Sequence, residues 1–213
     1  MGANLKAAVI LFHKQSYKYP PKWVSKCIES IQKQTYNKFE VFELDYGNEH
    51  TQLYKNSSFA STPMETHADA HNFLLDQVFS LGFDCAFNTN IDDFYSLNRI
   101  EKQLPWIAAG FDIISSNFYH IDDNDRVMYP MVMDSKNIRL EARRNHNIIA
   151  HPVCCYSKKF WTTCTKLRPN EIPRDDFELW KRSIGHYQFK ILPDFLLYYR
   201  VHKTNVSAKG IWK

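Results

Sequence analysis

The sequence has no apolar run that approaches the length of a membrane span, and it has no segment resembling a signal peptide. Residues 1–6 lead directly into a short strand-like run. Cysteine is scarce, odd in number and without a Cys-x-x-Cys pair; the residues are Cys27, Cys85, Cys154, Cys155 and Cys164. These absences predict reduced core thiols in a cytoplasmic protein that does not span a membrane.

Neither sign of charge dominates, because 27 basic residues face 23 acidic ones and leave a net charge of +4. The basic residues are scattered, and the longest cluster, residues 139–144, is interrupted by uncharged and acidic residues. This balance gives no support for a nucleic-acid-binding surface and fits a small ligand that carries phosphate. A length of 213 residues, with 44% hydrophobic residues and no low-complexity linker, predicts one domain spanning residues 1–213.

Hydrophobic periodicity at the start of the chain predicts a βαβ unit. Residues 7–12 form a continuous apolar run, which is typical of a strand buried on both faces. Residues 23–34 carry apolar side chains at helical spacing, and residues 39–44 form a second strand-like run. Two strands joined by a helix within about forty residues favour a parallel sheet with a right-handed crossover.

The rest of the chain continues the alternation of helices and strands, so the predicted fold class is α/β with a mixed, mostly parallel sheet. The predicted helices cover residues 68–81, 97–108 and 177–184; the predicted strands cover 85–87, 111–116, 148–156 and 189–199, the last broken at Pro193. Residues 119–144 lack a clear period, and the acidic segment 122–125 is typical of a hairpin turn.

The segment Asn90-Ile91-Asp92-Asp93 closes a short apolar strand and is the strongest candidate for a metal site. Carboxylates at the end of a buried strand are costly without a cation, and hard divalent ions bind such oxygen atoms. Asp92 is the first candidate ligand, with Asp93 or Asn90 in support and His202 as a further ligand. The alternative is a solvated turn or a helix cap.

Two more acidic segments follow predicted elements at comparable positions. Asp45 precedes a Tyr-Gly-Asn turn and could accept the imide N–H of a uracil while Tyr46 stacks on the base; ordinary turn chemistry is the alternative. Asp175 and Asp176 open a predicted helix, where they could cap the helix or act in acid–base chemistry. Asp176 is the candidate general base, and Asp175 would orient the acceptor or cap the helix.

Taken together, these segments resemble family 2 glycosyltransferases of the GT-A fold. The matching segments are VSKCIESIQKQTY, FEVFELDYGN, ADAHNFLLDQV with Asn72, Asn90-Ile91-Asp92 at the place of the Asp-x-Asp motif, DDFELWKR, and the closing YRVH segment with Asn205 and Ser207 after it. The resemblance runs from residue 7 to about residue 207 in unbroken order.

The resemblance implies a nucleotide-sugar-dependent transferase with a metal-bound diphosphate. It assigns the nucleobase to Asp45, a further cofactor contact to Asn72, the metal to Asp92 and His202, and the base role to Asp176. It divides the domain into a nucleotide-binding half at about residues 7–95 and an acceptor-side half at about 96–213. One further expectation is that the chain forms the N-terminal domain of a larger, virus-encoded glycosyltransferase.

Three residues depart from the family pattern. Asn90 replaces the first Asp of the metal motif, Tyr46 replaces the second Asp of the nucleotide turn, and Asp175 stands where Glu is preferred. The first change removes negative charge where the metal would bind. The last makes an inverting mechanism less secure, and in a retaining enzyme Asp176 would bind the acceptor instead of deprotonating it.

The sequence therefore predicts a metal-dependent glycosyltransferase of glycan biosynthesis, hexosyl- or deoxyhexosyl-transferring, that uses Mn²⁺ or Mg²⁺. A UDP-sugar is the expected donor, a saccharide hydroxyl the acceptor, and Arg200 a phosphate partner unless it forms only a surface ion pair. One alternative is a sugar-nucleotide nucleotidyltransferase, although His13-Lys14-Gln15-Ser16 stands where that class has a Gly-rich loop. The other is a non-catalytic carbohydrate-binding relative, which Asn90 favours.

Overall fold

A computed structural model describes residues 5–133, 138–147, 149–203 and 205. The strands are β1 (Ala7–His13), β2 (Phe39–Asp45), β3 (Ser58–Ser61), β4 (Cys85–Thr89), β5 (Phe94–Tyr95), β6 (Ile113–Ile121), β7 (Val127–Met131), β8 (Cys155–Ser157) and β9 (Phe189–Arg200). The helices are α1 (Pro21–Gln32), α2 (His67–Ser80), α3 (Arg99–Ala108), α4 (Ile138–Arg143), α5 (Lys158–Thr163) and α6 (Asp175–Ser183).

These strands form one mixed sheet in the order β3-β2-β1-β4-β8-β6-β9-β5, with β7 paired to β6. The strands β3, β2, β1 and β4 run parallel to one another, and β8 then pairs antiparallel with both β4 and β6. Farther along, β9 pairs parallel with β6, and β5 pairs antiparallel with β9. The predicted βαβ unit and the mixed α/β sheet are confirmed.

Alternating side chains of β1 point into two separate cores, because helices cover both faces of the sheet. Ala8 and Ile10 pack with α2, α5 and α6 on one face. Val9 and Leu11 pack with α1 and α3 on the other. Burying each large aliphatic side chain contributes about 1.5–3 kcal/mol, so a strand with two apolar faces is held firmly in the middle of the sheet.

Helix α2 covers His67–Ser80, one residue earlier at each end than the predicted range 68–81. Thr66 and Asp69 form a capping box, in which the Thr66 hydroxyl accepts the Asp69 N–H at 3.1 Å and the Asp69 carboxylate accepts the Thr66 N–H at 3.2 Å. Gly82, just beyond the helix, has a φ of +85°, which glycine adopts at little cost. The capping box fixes His67 in the first turn of α2.

Two predicted strands differ from the structure. The strand predicted for residues 148–156 is only Cys155–Ser157, preceded by a 3₁₀ turn at His151–Val153; residue 148 lies outside the described residues. The last strand is not broken at Pro193. It absorbs Pro193 and its neighbour as a bulge against β6, where Asn117 Nδ2 donates to the Pro193 carbonyl at 2.9 Å.

Two expectations drawn from composition concern the cysteines and membrane-spanning helices. All five cysteines are unpaired thiols, four of them buried. Within the described part of the chain, none of the helices is long and apolar enough to cross a membrane.

Candidate active site

The ends of β1, β2 and β4 bring the first two predicted acidic segments to one edge of the sheet. His13 at the end of β1 lies beside Asp45 at the end of β2, and Leu11 lies beside Thr89 at the end of β4. Since these strands are parallel, the turns that follow them emerge on the same side. Open α/β sheets bind ligands at this edge.

Asp45 is fully buried and organises the turn that follows β2. Its carboxylate accepts the backbone N–H groups of Gly47 at 3.0 Å, Glu49 at 2.7 Å and Thr51 at 3.2 Å, and the Ser61 hydroxyl at 3.3 Å. Burial alone would raise the pKa of Asp45, but these N–H donors hold it below the ordinary value. Asp45 is therefore an ionised carboxylate whose visible role is to shape the predicted nucleobase-binding turn.

Tyr46 lies half-buried beside that turn. Its ring centre is 6.3 Å from that of Phe12 and 5.7 Å from the Lys14 ammonium. Burial raises the pKa of Tyr46, so the phenol is neutral. A neutral aromatic ring at the edge of the sheet is suited to stacking on a base.

The structure brings Asp92 and His202 together, although they are 110 residues apart in the chain. Asp92 Oδ2 and His202 Nε2 are 2.9 Å apart, with 16% and 6% of their side chains exposed. Trp23 and Tyr19 lie against the imidazole, with ring centres at 5.1 and 6.1 Å. The pair sits at the turn after β4, where the metal was predicted.

The geometry of this pair suits a divalent ion. The 2.9 Å contact is a hydrogen bond in the protein alone, and two neighbouring ligands of one ion, each bonded at ~2.1 Å, would also be about 3 Å apart. Among the described residues, no group of three or more His, Cys, Asp or Glu side chains is placed to hold an ion. Two protein ligands completed by phosphate oxygens are the arrangement that Mg²⁺ sites commonly use.

Asp93 and Asn90 make hydrogen bonds that hold the turn after β4. Asp93 is buried, and its Oδ1 accepts the backbone N–H of Arg200 at 2.8 Å. Asn90 Nδ2 approaches Asp93 Oδ2 at 3.4 Å. Burial and the neighbouring Asp92 raise the pKa of Asp93 well above its usual range. This arrangement favours a structural role for both residues over the predicted metal ligation.

Arg200 is not the surface-accessible phosphate partner that the sequence suggested. It has no exposed surface, and its guanidinium donates to the carbonyl oxygens of Asp92 at 2.9 Å and Asp122 at 2.8 Å and to Asp125 Oδ1 at 2.5 Å. The guanidinium also lies 4.6 Å from the ring of Trp23. Because every branch of the fork is engaged inside the protein, Arg200 positions the Asp92 turn.

Asn72 also has a structural role in place of the predicted cofactor contact. Its Nδ2 donates to the Leu167 carbonyl at 2.9 Å, and its Oδ1 accepts the Leu167 N–H at 3.2 Å. Both functions of the amide are thereby used to fasten the segment before α6 to α2.

Asp175 and Asp176 open α6, and their two carboxylates have different environments. Asp175 is buried and lies 3.2 Å from His67 Nε2. Asp176 Oδ2 accepts from Asn147 Nδ2 at 3.2 Å, and Oδ1 accepts the Phe177 N–H at 2.7 Å. Burial, with the charge of Asp175 added, raises the pKa of Asp176 to about 6. A carboxylate with that pKa is suited to accept a proton near neutral pH.

Sequence reasoning missed several residues that surround these carboxylates. His67 and Asn147 contact the acidic pair of α6, while Tyr19 and Trp23 border His202. The capping box of α2 signals that His67 stands in the first helical turn. Nothing in the sequence connects it with Asp175, which is 108 residues away.

Comparison with known proteins gives one relative in sequence and several in structure. No family model matches the chain. A Methanocaldococcus jannaschii protein, named uncharacterized glycosyltransferase MJ1057, is 30% identical over 118 residues, which are 52% of this chain and 39% of that protein. The crystal structure of S. aureus TarS superposes with a TM-score of 0.65 at 16% identity, covering 93% of this chain and 37% of TarS.

A second structure of the same protein, S. aureus TarS 1–349 in complex with UDP, gives a TM-score of 0.66 at 16% identity and covers 93% of this chain and 61% of that one. The chain thus corresponds to less than two thirds of each of these proteins. The likeness extends over nearly the whole sheet and its helices. The predicted fold and the predicted resemblance to family 2-like glycosyltransferases of the GT-A fold are confirmed.

Proposed function

We propose that this protein is a glycosyltransferase that moves a sugar from a nucleoside diphosphate to a hydroxyl of a saccharide. The observation that carries the proposal is the Asp92–His202 pair, which the fold assembles at the sheet edge from distant parts of the chain. The likeness to a glycosyltransferase sequence and to the TarS fold supports the same reaction class. The UDP complex of TarS 1–349 supports UDP as the nucleotide of the donor.

In the proposed reaction, Asp176 accepts the proton of the acceptor hydroxyl. The hydroxyl oxygen then forms a bond to the anomeric carbon of the donor sugar. The bond between that carbon and the diphosphate oxygen breaks, and the diphosphate leaves with the electron pair. Proton removal by a group with a pKa of about 6 is efficient at neutral pH.

The donor would bind along the carboxyl ends of β1, β2 and β4. Tyr46 and the turn organised by Asp45 would receive the nucleobase. Asp92 and His202 would hold a Mn²⁺ or Mg²⁺ ion, which neutralises the charge on the leaving diphosphate when it is bound. In this proposal residues 7–95 bind the donor and residues 96–213 contribute the acceptor side. The five unpaired thiols fit a cytoplasmic enzyme, and the transferred group would be a hexosyl or deoxyhexosyl unit.

Calorimetric titration with UDP, GDP and dTDP, each with and without Mn²⁺, tests the donor site. We expect UDP to bind the wild type only with the metal, and Asp92→Ala to weaken that binding by at least about tenfold, which is ~1.4 kcal/mol. Asp194→Ala is the matched control, because Asp194 pairs with Lys102 on the surface of β9.

Loss of UDP binding in Asp92→Ala with retention in Asp194→Ala would support the proposal. If none of the three nucleotides binds the wild type under any condition, the transferase proposal fails, and a carbohydrate-binding protein without activity becomes the better reading. If UDP binds equally well without metal, the proposed metal role of Asp92 and His202 is wrong, and the proposal of a UDP-sugar donor stands.

A further inference from the structure

His67 makes a close polar contact with the acidic pair of α6. Its Nε2 lies 3.2 Å from Asp175 Oδ2 and 3.4 Å from Asp175 Oδ1, so the imidazole faces both oxygens. The Asp175 side chain is only 6% exposed, whereas that of His67 is 30% exposed. The capping box of α2 fixes the helical turn that carries His67, so the contact joins two separately anchored helices.

Asp176 is bound differently, by neutral donors. It accepts one N–H from the Asn147 side chain and one from the backbone of Phe177, at 3.2 and 2.7 Å. No described cation pairs with the Asp176 carboxylate. Of the two adjacent carboxylates, Asp175 therefore contacts a histidine and Asp176 contacts amide N–H groups.

The remaining titratable groups near the pair come from several elements. In the described part of the chain, His151 of the turn before β8 acts on Asp175, whereas Cys154 just before β8 and Tyr156 within it interact with Asp176. His71 of α2 lies next to His151, with ring centres 5.0 Å apart. Burial lowers the pKa of His151 to about 4 and that of His71 well below its usual value, so both are neutral at pH 7. Arg174 donates to the Asn145 side chain and lies over Phe177, away from a carboxylate partner.

We propose that His67 is a positioning residue for the proposed transfer reaction: by binding Asp175 it holds that carboxylate ionised and directed toward α2, which leaves Asp176 as the proton acceptor of the pair. This inference rests on the proposed function only for its catalytic consequence. The coupling between the three side chains is a property of the protein without substrate.

Two adjacent carboxylates in a buried setting compete for one proton, because both cannot ionise without cost. Burial raises the pKa of Asp175, but the hydrogen bond and charge of His67, together with weaker contributions from His151 and the Asp175 backbone, lower the pKa overall. Without His67, Asp175 binds a proton more readily, and Asp176 loses a weaker stabilising influence from the same imidazole. Both changes make the pair retain a proton to higher pH, and in the proposed reaction only the doubly ionised pair is active, with Asp176 as the proton acceptor and Asp175 orienting the acceptor sugar.

The pH dependence of kcat/KM tests this role in the wild type and in His67→Ala, His67→Gln and His186→Ala. We expect the acidic limb, near pH 6 in the wild type, to move up by about 0.5–1 pH unit in His67→Ala, a roughly 2- to 5-fold loss of rate at pH 6. The rate at pH 8.5 should stay within about twofold of the wild type. His67→Gln keeps an N–H donor, so its acidic limb should lie close to that of the wild type. The exposed His186 is distant from this contact, and His186→Ala should leave the limb unchanged.

A titration of the aspartate carboxyl signals by ¹³C NMR, on the same variants without substrate, separates the two proposals. The highest pKa of the Asp175–Asp176 pair should rise in His67→Ala by the amount that the limb moves. An equal loss of rate at every pH, or an unchanged carboxyl titration, would overturn the positioning role. If the wild type transfers no sugar at all, the proposed function fails, and the titration alone decides on the coupling.

Discussion

Two pairs of neighbouring aspartates divide their tasks in the same way. In the first pair, Asp93 is bound by the backbone N–H of Arg200, and Asp92 is left to meet His202. In the second, Asp175 is bound by His67, and Asp176 keeps only amide donors. In each pair one carboxylate is bound by a residue of a distant element, Arg200 or His67, and the other is the one with a proposed chemical role.

Asp176→Asn should abolish transfer and at the same time stabilise the protein at alkaline pH. The folded pKa of about 6 lies above the ordinary value of 3.8, so ionisation of Asp176 costs the folded state stability as the pH rises from 3.8 through 6. Above pH 6 the full penalty is present, and the amide removes it. We expect a gain of about 1–2 kcal/mol in the free energy of unfolding at pH 8, since partial exposure reduces the full shift.

Urea denaturation at pH 4 and pH 8 measures this effect. Asp175→Asn is the control, and its effect on stability should have the opposite sign. The pKa of Asp175 is lowered by His67, so its charge stabilises the fold above the ordinary pKa and this stability is lost as the pH falls through the lowered value. Asp175→Asn should therefore destabilise the protein at pH 8. Equal stability of wild type and Asp176→Asn at pH 8 would show that ionisation of Asp176 does not lower the stability of the folded state.

At the scale of elements, Arg200 joins three parts of the fold around the candidate metal site. At the end of β9, its guanidinium binds the turn after β4, the hairpin turn between β6 and β7, and the face of Trp23 on α1. In that hairpin turn, the Asp123 carbonyl accepts the indole N–H of Trp23, and Asp125 forms an ion pair with Lys26 at 2.9 Å. The position of Asp92 therefore depends on contacts among elements that are distant in sequence.

Arg200→Lys should loosen this junction, because an ammonium group cannot reproduce three bonds from a planar fork. We expect a loss of about 2–4 kcal/mol in the free energy of unfolding and at least about tenfold weaker metal-dependent UDP binding. Denaturation and calorimetry on the same samples measure both. Arg182→Lys is the matched control: it disrupts the Arg182–Glu171 pair at 2.6 Å, away from the sheet edge, and should leave UDP binding unchanged.

If Arg182→Lys also weakened UDP binding, the effect would reflect general loss of stability. If Arg200→Lys bound UDP like the wild type, the Asp92 turn would not depend on the junction.

Elements with a strong period were predictable from the sequence, and contacts between distant residues were not. The apolar run of β1 and the amphipathic face of α1 were enough to predict the βαβ unit, and with it the location of Asp45 at the carboxyl end of β2. The bulge at Pro193 was not predictable, because it depends on Asn117 of another strand. The full burial of Arg200 and its contact with Asp125 likewise depend on how the chain folds back.

At the scale of the whole molecule, the sheet is continuous across the proposed boundary between donor and acceptor halves. The strand β4, from the first half, pairs with β8 of the second at Ala86 and Tyr156. Both helical layers also combine helices from the two halves. Since the halves share their cores, neither should unfold without the other.

We therefore expect one unfolding transition for the chain, which shifts as a unit when the donor nucleotide binds. A ligand present at a hundred times its Kd stabilises the native state by about 2.7 kcal/mol, which for a protein of this size raises Tm by roughly 5–10 °C. Calorimetric scans with UDP and Mn²⁺, UDP alone, and dTDP with Mn²⁺ measure the shift in the wild type, with Asp92→Ala as the variant that should not respond. Two separated transitions would show that residues 7–95 and 96–213 fold independently, and a shift confined to one of two transitions would identify the half that binds the nucleotide.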